Sequence, residues 1–415
     1  MSRSMDPLAF RGAEHHHTVN CASELSGHLT QVGHIGHAVF HPGRTQTPVA
    51  RRFQENEIAG EVFVGRRAEV ARVLADLAPD AGGRVSVIAG MGGVGKTALA
   101  RRVAASAQEW FPGGVIWVDL PGDGEPVTAG PLVRAIGEQG GDFGRVLDDL
   151  ADRGRAVLLV LDNVVTGVQA RDLLPRRGPH RTLVTTRETP DLPHSRRLEL
   201  PVLDPTASRT LLSQITGAQA TNELASVCAG LPLALHIAAA LLSDEPGLPA
   251  HELARQLLAA PGVEGYTAGE RALAPVFDQS WQRLLRHSPE QARLLRLLCL
   301  VPEPEISTET AAHLANHTVD QVRVDLRSLR HAHLLQSTGL DRWSLHPLIR
   351  AHILTRAVPG LTSTHLHTAA RRLIFYKRDD SRQARMGASP SRGESCGQGG
   401  PVQLGVGGRL HRGRE

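Results

Sequence analysis

Of 46 basic residues in the 415-residue chain only two are lysines, Lys96 and Lys377. Lys96 lies in Gly90-Met91-Gly92-Gly93-Val94-Gly95-Lys96-Thr97, which fits G-x-x-x-x-G-K-[ST]. In that pattern glycines let the backbone curl around a phosphate, so that successive N–H groups and the positive end of the following helix face the anion. Lys96 is placed to reach the β- and γ-phosphates, and Thr97 to hold Mg²⁺ through its hydroxyl. A compact ammonium has been kept at one position where guanidinium serves nearly everywhere else.

Such a loop needs a strand before it and a helix after it. Val85-Ser86-Val87-Ile88-Ala89 is an apolar run that supplies the strand, and Ala98-Leu99-Ala100-Arg101 begins the helix, predicted over Thr97 to about Gln108. Upstream, Phe63-Val64-Gly65-Arg66 leads into an amphipathic stretch in which Val70, Val73, Leu74 and Leu77 share a face. A strand-turn at that place makes Val64, Gly65 and Arg66 a candidate shelf for a base. Downstream, Gly114 to Leu120 reads as a strand covered on both faces, and Pro131 to Ala151 as helical sequence. Ala156 to Asn163 is a further apolar strand that ends in a carboxylate. Asp162 there fits a second Mg²⁺ contact, the alternative being a simple helix cap. Arg181 to Thr186 delivers Arg187 to the same sheet edge, either as a γ-phosphate sensor or as a surface arginine. Strands alternating with helices imply a parallel, doubly wound α/β sheet whose ligand sits beyond the strand C-termini.

Past Leu200 the texture becomes helical. Ala207 to Leu258 is broken by Gly230-Leu231-Pro232-Leu233-Ala234-Leu235, where Pro232 either offers a flat ring to a base or serves core packing. The apolar run Cys228 to Leu242 contains His236 and is too short for a membrane span, so it reads as a buried helix. Ser288-Pro289-Glu290 and Ser307-Thr308-Glu309 are helix starts, and Val319 to Leu329 is a third amphipathic helix. Apolar and polar residues then alternate through His333 to Ser337, turn at Gly339 and continue through Arg342 to Leu345. Helices followed by a two-stranded hairpin predict a winged helix, directly before His346-Pro347-Leu348-Ile349-Arg350. One more helix is expected over Thr364 to Tyr376, and from about Asp379 a Gly/Arg/Ser run without periodicity reads as disordered.

Residues 1 to about 60 are rich in His and Gly. The six histidines from His15 to His37 match no ligand spacing, and a disordered leader is one reading. Another follows from Thr30-Gln31-Val32-Gly33 with Ile35 and Val39-Phe40, which resembles the amyloid-signalling motifs at the N-termini of some bacterial receptor-like ATPases. Such segments stack in register between chains.

Bulk composition is that of a globular chain, 41% hydrophobic and 21% charged, with a net charge of +4 that neither demands nor excludes nucleic acid. Aromatics at 3% argue against a stacking surface for single strands. Cys21, Cys228, Cys299 and Cys396 form no C-x-x-C pair, which fits a reduced, cytoplasmic compartment, and the polar opening residues show no signal peptide.

In order, these motifs resemble the NB-ARC family of signal-transduction ATPases with numerous domains (STAND), above all actinobacterial members that join the cassette to tetratricopeptide repeats or regulator domains. The resemblance covers about residues 61 to 376. It implies a leader at 1–60, a P-loop nucleotide-binding domain at 61–200, a helical domain at 201–268, a winged helix at 269–360, and a helix with a disordered tail at 361–415. By the same resemblance Gly90, Gly92, Gly93, Val94, Gly95, Lys96, Thr97 and Ala98 hold ADP or ATP, and Thr97 and Asp162 hold Mg²⁺. Val64, Gly65, Arg66 and Pro232 lie near adenine, Arg187 is the sensor, and His346 closes the winged helix on the β-phosphate of ADP. Two departures stand out. Asn163 replaces a second acid, and an amide orients water but cannot take its proton, so hydrolysis should be slow. Pro347 replaces an Asp after the histidine, which removes a polar contact from the clamp.

The function implied is a nucleotide switch, closed with ADP and open to self-association with ATP, acting away from membranes. A DNA-binding regulator and a continuously turning ATPase are the competing readings. Against DNA, Arg323, Arg327 and Arg330 are interleaved with Asp320 and Asp325.

Overall fold

The computed structural model describes residues 49–54, 58, 62–122, 124, 130–136, 142–192, 194–217 and 221–387. Residues 1–48 of the His-rich leader, the stacking segment among them, lie outside the described residues.

The apolar runs form one sheet. Its strands are β1 (Val49–Arg52), β2 (Val85–Ala89), β3 (Gly114–Asp119), β4 (Val157–Val164), β5 (Arg181–Thr186) and β6 (Ser195–Glu199), in the order β1-β3-β4-β5-β2-β6. Pairing is parallel except at β1, which runs antiparallel to β3. The sheet is therefore mixed and mostly parallel, and its first strand lies inside the stretch assigned by sequence to the leader. Four residues at a sheet edge, with Val49 56% exposed, carry too little apolar alternation to be read as a strand.

Helices cover both faces. α1 (Arg67–Leu77) and α2 (Lys96–Ala107) lie on one, while α3 (Gly130–Ile136), α4 (Phe143–Asp152) and α5 (Gly167–Arg171) lie on the other. Alternation along the strands sorts the side chains. Trp117, Leu158, Val160 and Leu183 pack with Leu99, Ala100 and Val103 of α2, whereas Ile116, Val118, Leu159 and Leu161 pack with Leu132, Phe143 and Leu147. The helical sequence expected over 131–151 is two helices, α3 and α4, with residues 137–141 between them outside the described residues.

Beyond the sheet come α6 (Pro205–Thr216), α7 (Asn222–Val227), α8 (Pro232–Asp244) and α9 (Ala250–Ala259). Asp204 caps α6 by accepting from the Thr206 and Ala207 N–H groups, each at 2.8 Å. α8 is the helix expected from the apolar run. It buries Leu235, Ile237, Ala238, Ala239 and Leu242, and each large aliphatic side chain there contributes about 1.5–3 kcal/mol. Among the described residues, no helix is long and apolar enough to cross a membrane.

One strand pair after Leu200 was not expected from the sequence. A two-residue pair, β7 (Thr267–Ala268) and β8 (Arg271–Ala272), precedes α10 (Ala274–His287) and α11 (Pro289–Leu298). Then follow β9 (Glu305–Ser307), α12 (Thr308–Ala315), α13 (Val319–His331), β10 (Gln336–Gly339), β11 (Arg342–Ser344), α14 (Pro347–Leu354) and α15 (Ser363–Gly387). The expected hairpin is present, and β9 joins it to make a three-stranded sheet, β10-β11-β9. Ser307 caps α12 and Thr318 closes a capping box with Gln321 on α13, but Ser288 makes no side-chain cap on α11. α15 runs on to Gly387, past the point near Asp379 where sequence suggested disorder, through Arg, Gln, Ala and Met residues of good helix propensity.

Candidate functional site

Sheet order decides the site. β5 lies between β2 and β4, so the C-terminal ends of three strands bring the glycine loop, Arg187 and Asp162 together although they are far apart in sequence. The loop leaves β2 at Gly90 and enters α2 at Lys96, with Gly93 at φ 80° and Gly95 at φ 94°, left-handed values that disfavour any side chain. Lys96 folds back over the loop, and its Nζ donates to the Gly90 and Met91 carbonyls, each at 2.9 Å. Thr97 Oγ1 donates to both carboxylate oxygens of Asp162 at 3.1 Å.

Thr185, which nothing in the sequence singled out, sits between these groups. Its hydroxyl donates to Asp162 Oδ1 at 2.5 Å and accepts from the Asn163 N–H at 2.9 Å. Asn163 takes a left-handed φ of 66°, and its amide donates to the Leu120 carbonyl at 3.3 Å. The only advance signal was strand alternation, which puts Thr185 next to the end of β5 on a covered face.

Burial sets the electrostatics. Lys96 and Asp162 are each 8% exposed. Burial, and then the charge of Arg187, lowers Lys96 to about 7, opposed by Asp162. Arg187 is lowered to about 10 by burial, again opposed by Asp162. Burial raises the Asp162 pKa, opposed chiefly by the Thr185 hydrogen bond. The Lys96 and Arg187 charges thus both lean on the one Asp162 carboxylate, and a polyanion beside them would offset what desolvation takes from both. Hydroxyl and carboxylate oxygens are the hard donors Mg²⁺ takes, so Thr97 and Asp162 fit that ion. Among the described residues, no group of His, Cys, Asp and Glu forms a metal cluster of its own.

The remaining residues singled out in the sequence fall into two groups. Pro232 lies against the loop: its ring is 3.8 Å from where a Cβ on Gly95 would stand, and the Leu233 N–H donates to the Gly93 carbonyl at 3.2 Å. Val64 packs on the core, and Gly65 abuts Ala207 and Leu203. The Leu203 N–H donates to the Gly230 carbonyl, which joins the two halves of the expected adenine wall. Arg66 is committed within that wall, its guanidinium donating to Glu69 at 2.9 Å and to the Pro201 carbonyl at 2.5 Å. Val94 and Ala98 lie within the loop and first turn.

His346 caps α14, with Nδ1 accepting from the Leu348 N–H, and Nε2 stands 3.0 Å from the Ala229 carbonyl, next to Gly230. With Nδ1 an acceptor, Nε2 carries the proton. His333 lines a small cavity with Met91 and Gly92 of the loop and with Phe277, Ser280 and His352. Burial and the charge of Lys96 lower its pKa to about 4.

The C-terminal helices contact the sheet edge at successive residues. Arg187 Nη1 donates to the Val276 carbonyl of α10 at 2.8 Å, Arg283 of α10 pairs with Glu188 at 2.6 Å, and Thr189 Oγ1 donates to the His331 carbonyl at 3.4 Å. Val276 also presses on the loop, with its side chain 2.8 Å from where a Cβ on Gly92 would stand.

No family model matches the chain. Among solved structures, the Walker-type ATPase PABY2304 of Pyrococcus abyssi aligns over 74% of this chain and 98% of its own, with a TM-score of 0.50 and 12% identity, and it shares the fold. A STAND protein with a tetratricopeptide-repeat sensor, PH0952 from Pyrococcus horikoshii, aligns over 80% of this chain and 46% of its own, with 19% identity and a TM-score of 0.32. In sequence, the chain is 34% identical over 323 residues to the regulatory protein AfsR of Streptomyces coelicolor. The chain is a STAND-class P-loop NTPase of the actinobacterial type. That match takes in 70% of this chain and 32% of AfsR, so this STAND-class chain spans about a third of the length of the curated relative.

Proposed function

We propose that the protein is a nucleotide-gated signalling switch, closed when ADP is bound and open to self-association when ATP and Mg²⁺ are bound. The domain division proposed is a P-loop domain at 61–200, extended upstream by β1, then a helical domain at 201–268 and a winged helix at 269–360. Lys96, the loop amides and Ala98 take the phosphates, Thr97 and Asp162 take Mg²⁺, and Val64, Gly65 and Pro232 line the base. Mg²⁺, when bound, would neutralise charge on the phosphate oxygens; Thr97 and Asp162 orient it, and Thr185 holds Asp162 in place.

One observation carries the reading. Arg187, the group proposed to meet the γ-phosphate, donates to the backbone carbonyl of Val276, and the Val276 side chain covers Gly92. A γ-phosphate is a stronger acceptor than a neutral carbonyl, so ATP competes for the arginine and ADP does not. ATP therefore favours a form in which α10 has left the loop, and the size of the shift is the difference in ATP affinity between the two forms. In the closed form His346 steadies the segment before Pro232 through Ala229.

DNA binding by α13 is the weaker alternative. Arg323 is committed to Asp320 at 2.7 Å and Asp341 at 3.1 Å, and Arg330 lies 3.9 Å from Glu199.

The test is to purify the chain without added nucleotide, denature it and identify what is released, with Lys96→Ala as control. Near-stoichiometric ADP from the parent and none from the variant supports the switch. A parent that arrives empty and takes up neither ADP nor ATP with Mg²⁺ refutes it.

A further inference from the structure

Asn163 leaves the site without a proton acceptor at the position next to Asp162, but the adjacent strand supplies one. β3 and β4 run parallel and pair Asp119 with Asp162, Cα opposite Cα, at the C-terminal edge of the sheet. Both side chains lie on the α2 face. Trp117, two residues before Asp119, packs with Leu99, Ala100 and Val103 of α2, and its Nε1 donates to Asp119 Oδ1 at 2.9 Å. Asp162 follows Leu158 and Val160 on that same face and receives the Thr97 hydroxyl from α2. The carboxylate of Asp119 is oriented through one oxygen by the indole, its other oxygen is 3.9 Å from Arg51 Nε, and its side chain is 47% exposed. Its charge is felt at Asp162, where it is one of the causes that raise the pKa.

We propose that Asp119 is the carboxylate that orients and deprotonates the water attacking the γ-phosphate of ATP, the role an amide at Asn163 cannot fill. This rests on the reading of the glycine loop as an ATP site. In the step, the water oxygen bonds to the γ-phosphorus while its proton passes to an Asp119 carboxylate oxygen. The bond from that phosphorus to the β–γ bridging oxygen breaks, its electron pair leaving with ADP. The half-exposed Asp119 then returns the proton to solvent. Trp117 fixes where the carboxylate stands, and because β3 is one strand beyond β4, Asp119 serves water held at the outer side of the Thr97–Asp162 pair.

Asp119→Asn tests this, because the amide oxygen still accepts from Trp117. ATP and ADP affinities, measured by titration calorimetry, are expected to stay within roughly threefold of the parent, while single-turnover hydrolysis falls by about 100-fold, the lower end of the range for losing a general base. After equal incubation, nucleotide extracted from the variant should be mainly ATP and that from the parent mainly ADP. Asn163→Asp added to Asp119→Asn should recover about tenfold of the loss, since it restores an acceptor beside the site; Asp is also among the residues that tolerate a left-handed φ. Hydrolysis within about twofold of the parent at normal affinity would overturn the role of Asp119 alone. So would a loss of affinity beyond about tenfold, which would make it a binding residue. A parent that binds no nucleotide would instead overturn the ATP reading beneath it.

Discussion

Arg283→Ala tests whether the C-terminal helices hold the closed form. Arg283 and Glu188 pair at 2.6 Å across the α10–sheet contact, with 21% and 33% of their side chains exposed. At that exposure an ion pair is worth about 1 kcal/mol, the upper end for surface pairs, after screening. If the pair exists only in the closed form, its loss shifts the closed-to-open equilibrium about fivefold, by exp(ΔG/RT). For a switch that starts about 99:1 closed, the closed fraction falls only to about 95%, so ADP affinity barely changes. The open fraction, which ATP requires, rises about fivefold, and ATP affinity tightens by the same factor. Fluorescent-analogue competition with ATP and with ADP, at one salt concentration, measures both. The charge swap Arg283→Glu with Glu188→Arg should return ATP affinity toward the parent value. An equal change for both nucleotides, or none for either, would refute the assignment of this contact to the closed form.

Two further outcomes are expected. Lys96 sits at about 7 in the folded chain against 10.5 for a free lysine, so the unfolded chain binds more protons between those values and stability should rise with pH across that window. Lys96→Met should flatten that rise in melting curves, and nucleotide binding to the parent at pH 8 should take up a proton, seen as a buffer-dependent calorimetric enthalpy. Thr308 is fully buried, accepts from Trp343 Nε1 at 3.0 Å and donates to Asp341 at 3.1 Å. Thr308→Val leaves the indole N–H unpaired and should lower unfolding free energy by about 1–3 kcal/mol in urea titrations, leaving nucleotide affinity intact.

Much of the site was legible because its chemistry is local. The glycine loop, the strand before it and the helix after it are contiguous, and Asp162 and Arg187 each close an apolar run, so spacing alone put them at one sheet edge. Thr185 and Asp119 were not legible. Each is an ordinary strand residue whose relation to Asp162 exists only once strand order and register are known. β1 and β9 were missed because short edge strands draw their pairing from a partner and carry little apolar pattern of their own. His346 was read from its motif, and His333 only as the start of a strand. Their positions follow from how α13 and α14 dock, which no local pattern encodes.

Arg187, Glu188 and Thr189 are adjacent in the chain, yet each meets a different group of the C-terminal helices: the Val276 carbonyl, the Arg283 guanidinium and the His331 carbonyl. Neighbouring residues have little slack between them, since consecutive Cα atoms stand about 3.8 Å apart. A displacement that draws Arg187 toward a ligand therefore loads the next two contacts at once, before either has room to lengthen alone. In the proposed switch the three would behave as a zip with a single tab, disfavouring partial release and making opening cooperative. A graded change in nucleotide supply would then appear downstream as a change in how many molecules have opened, and not in how far each one has.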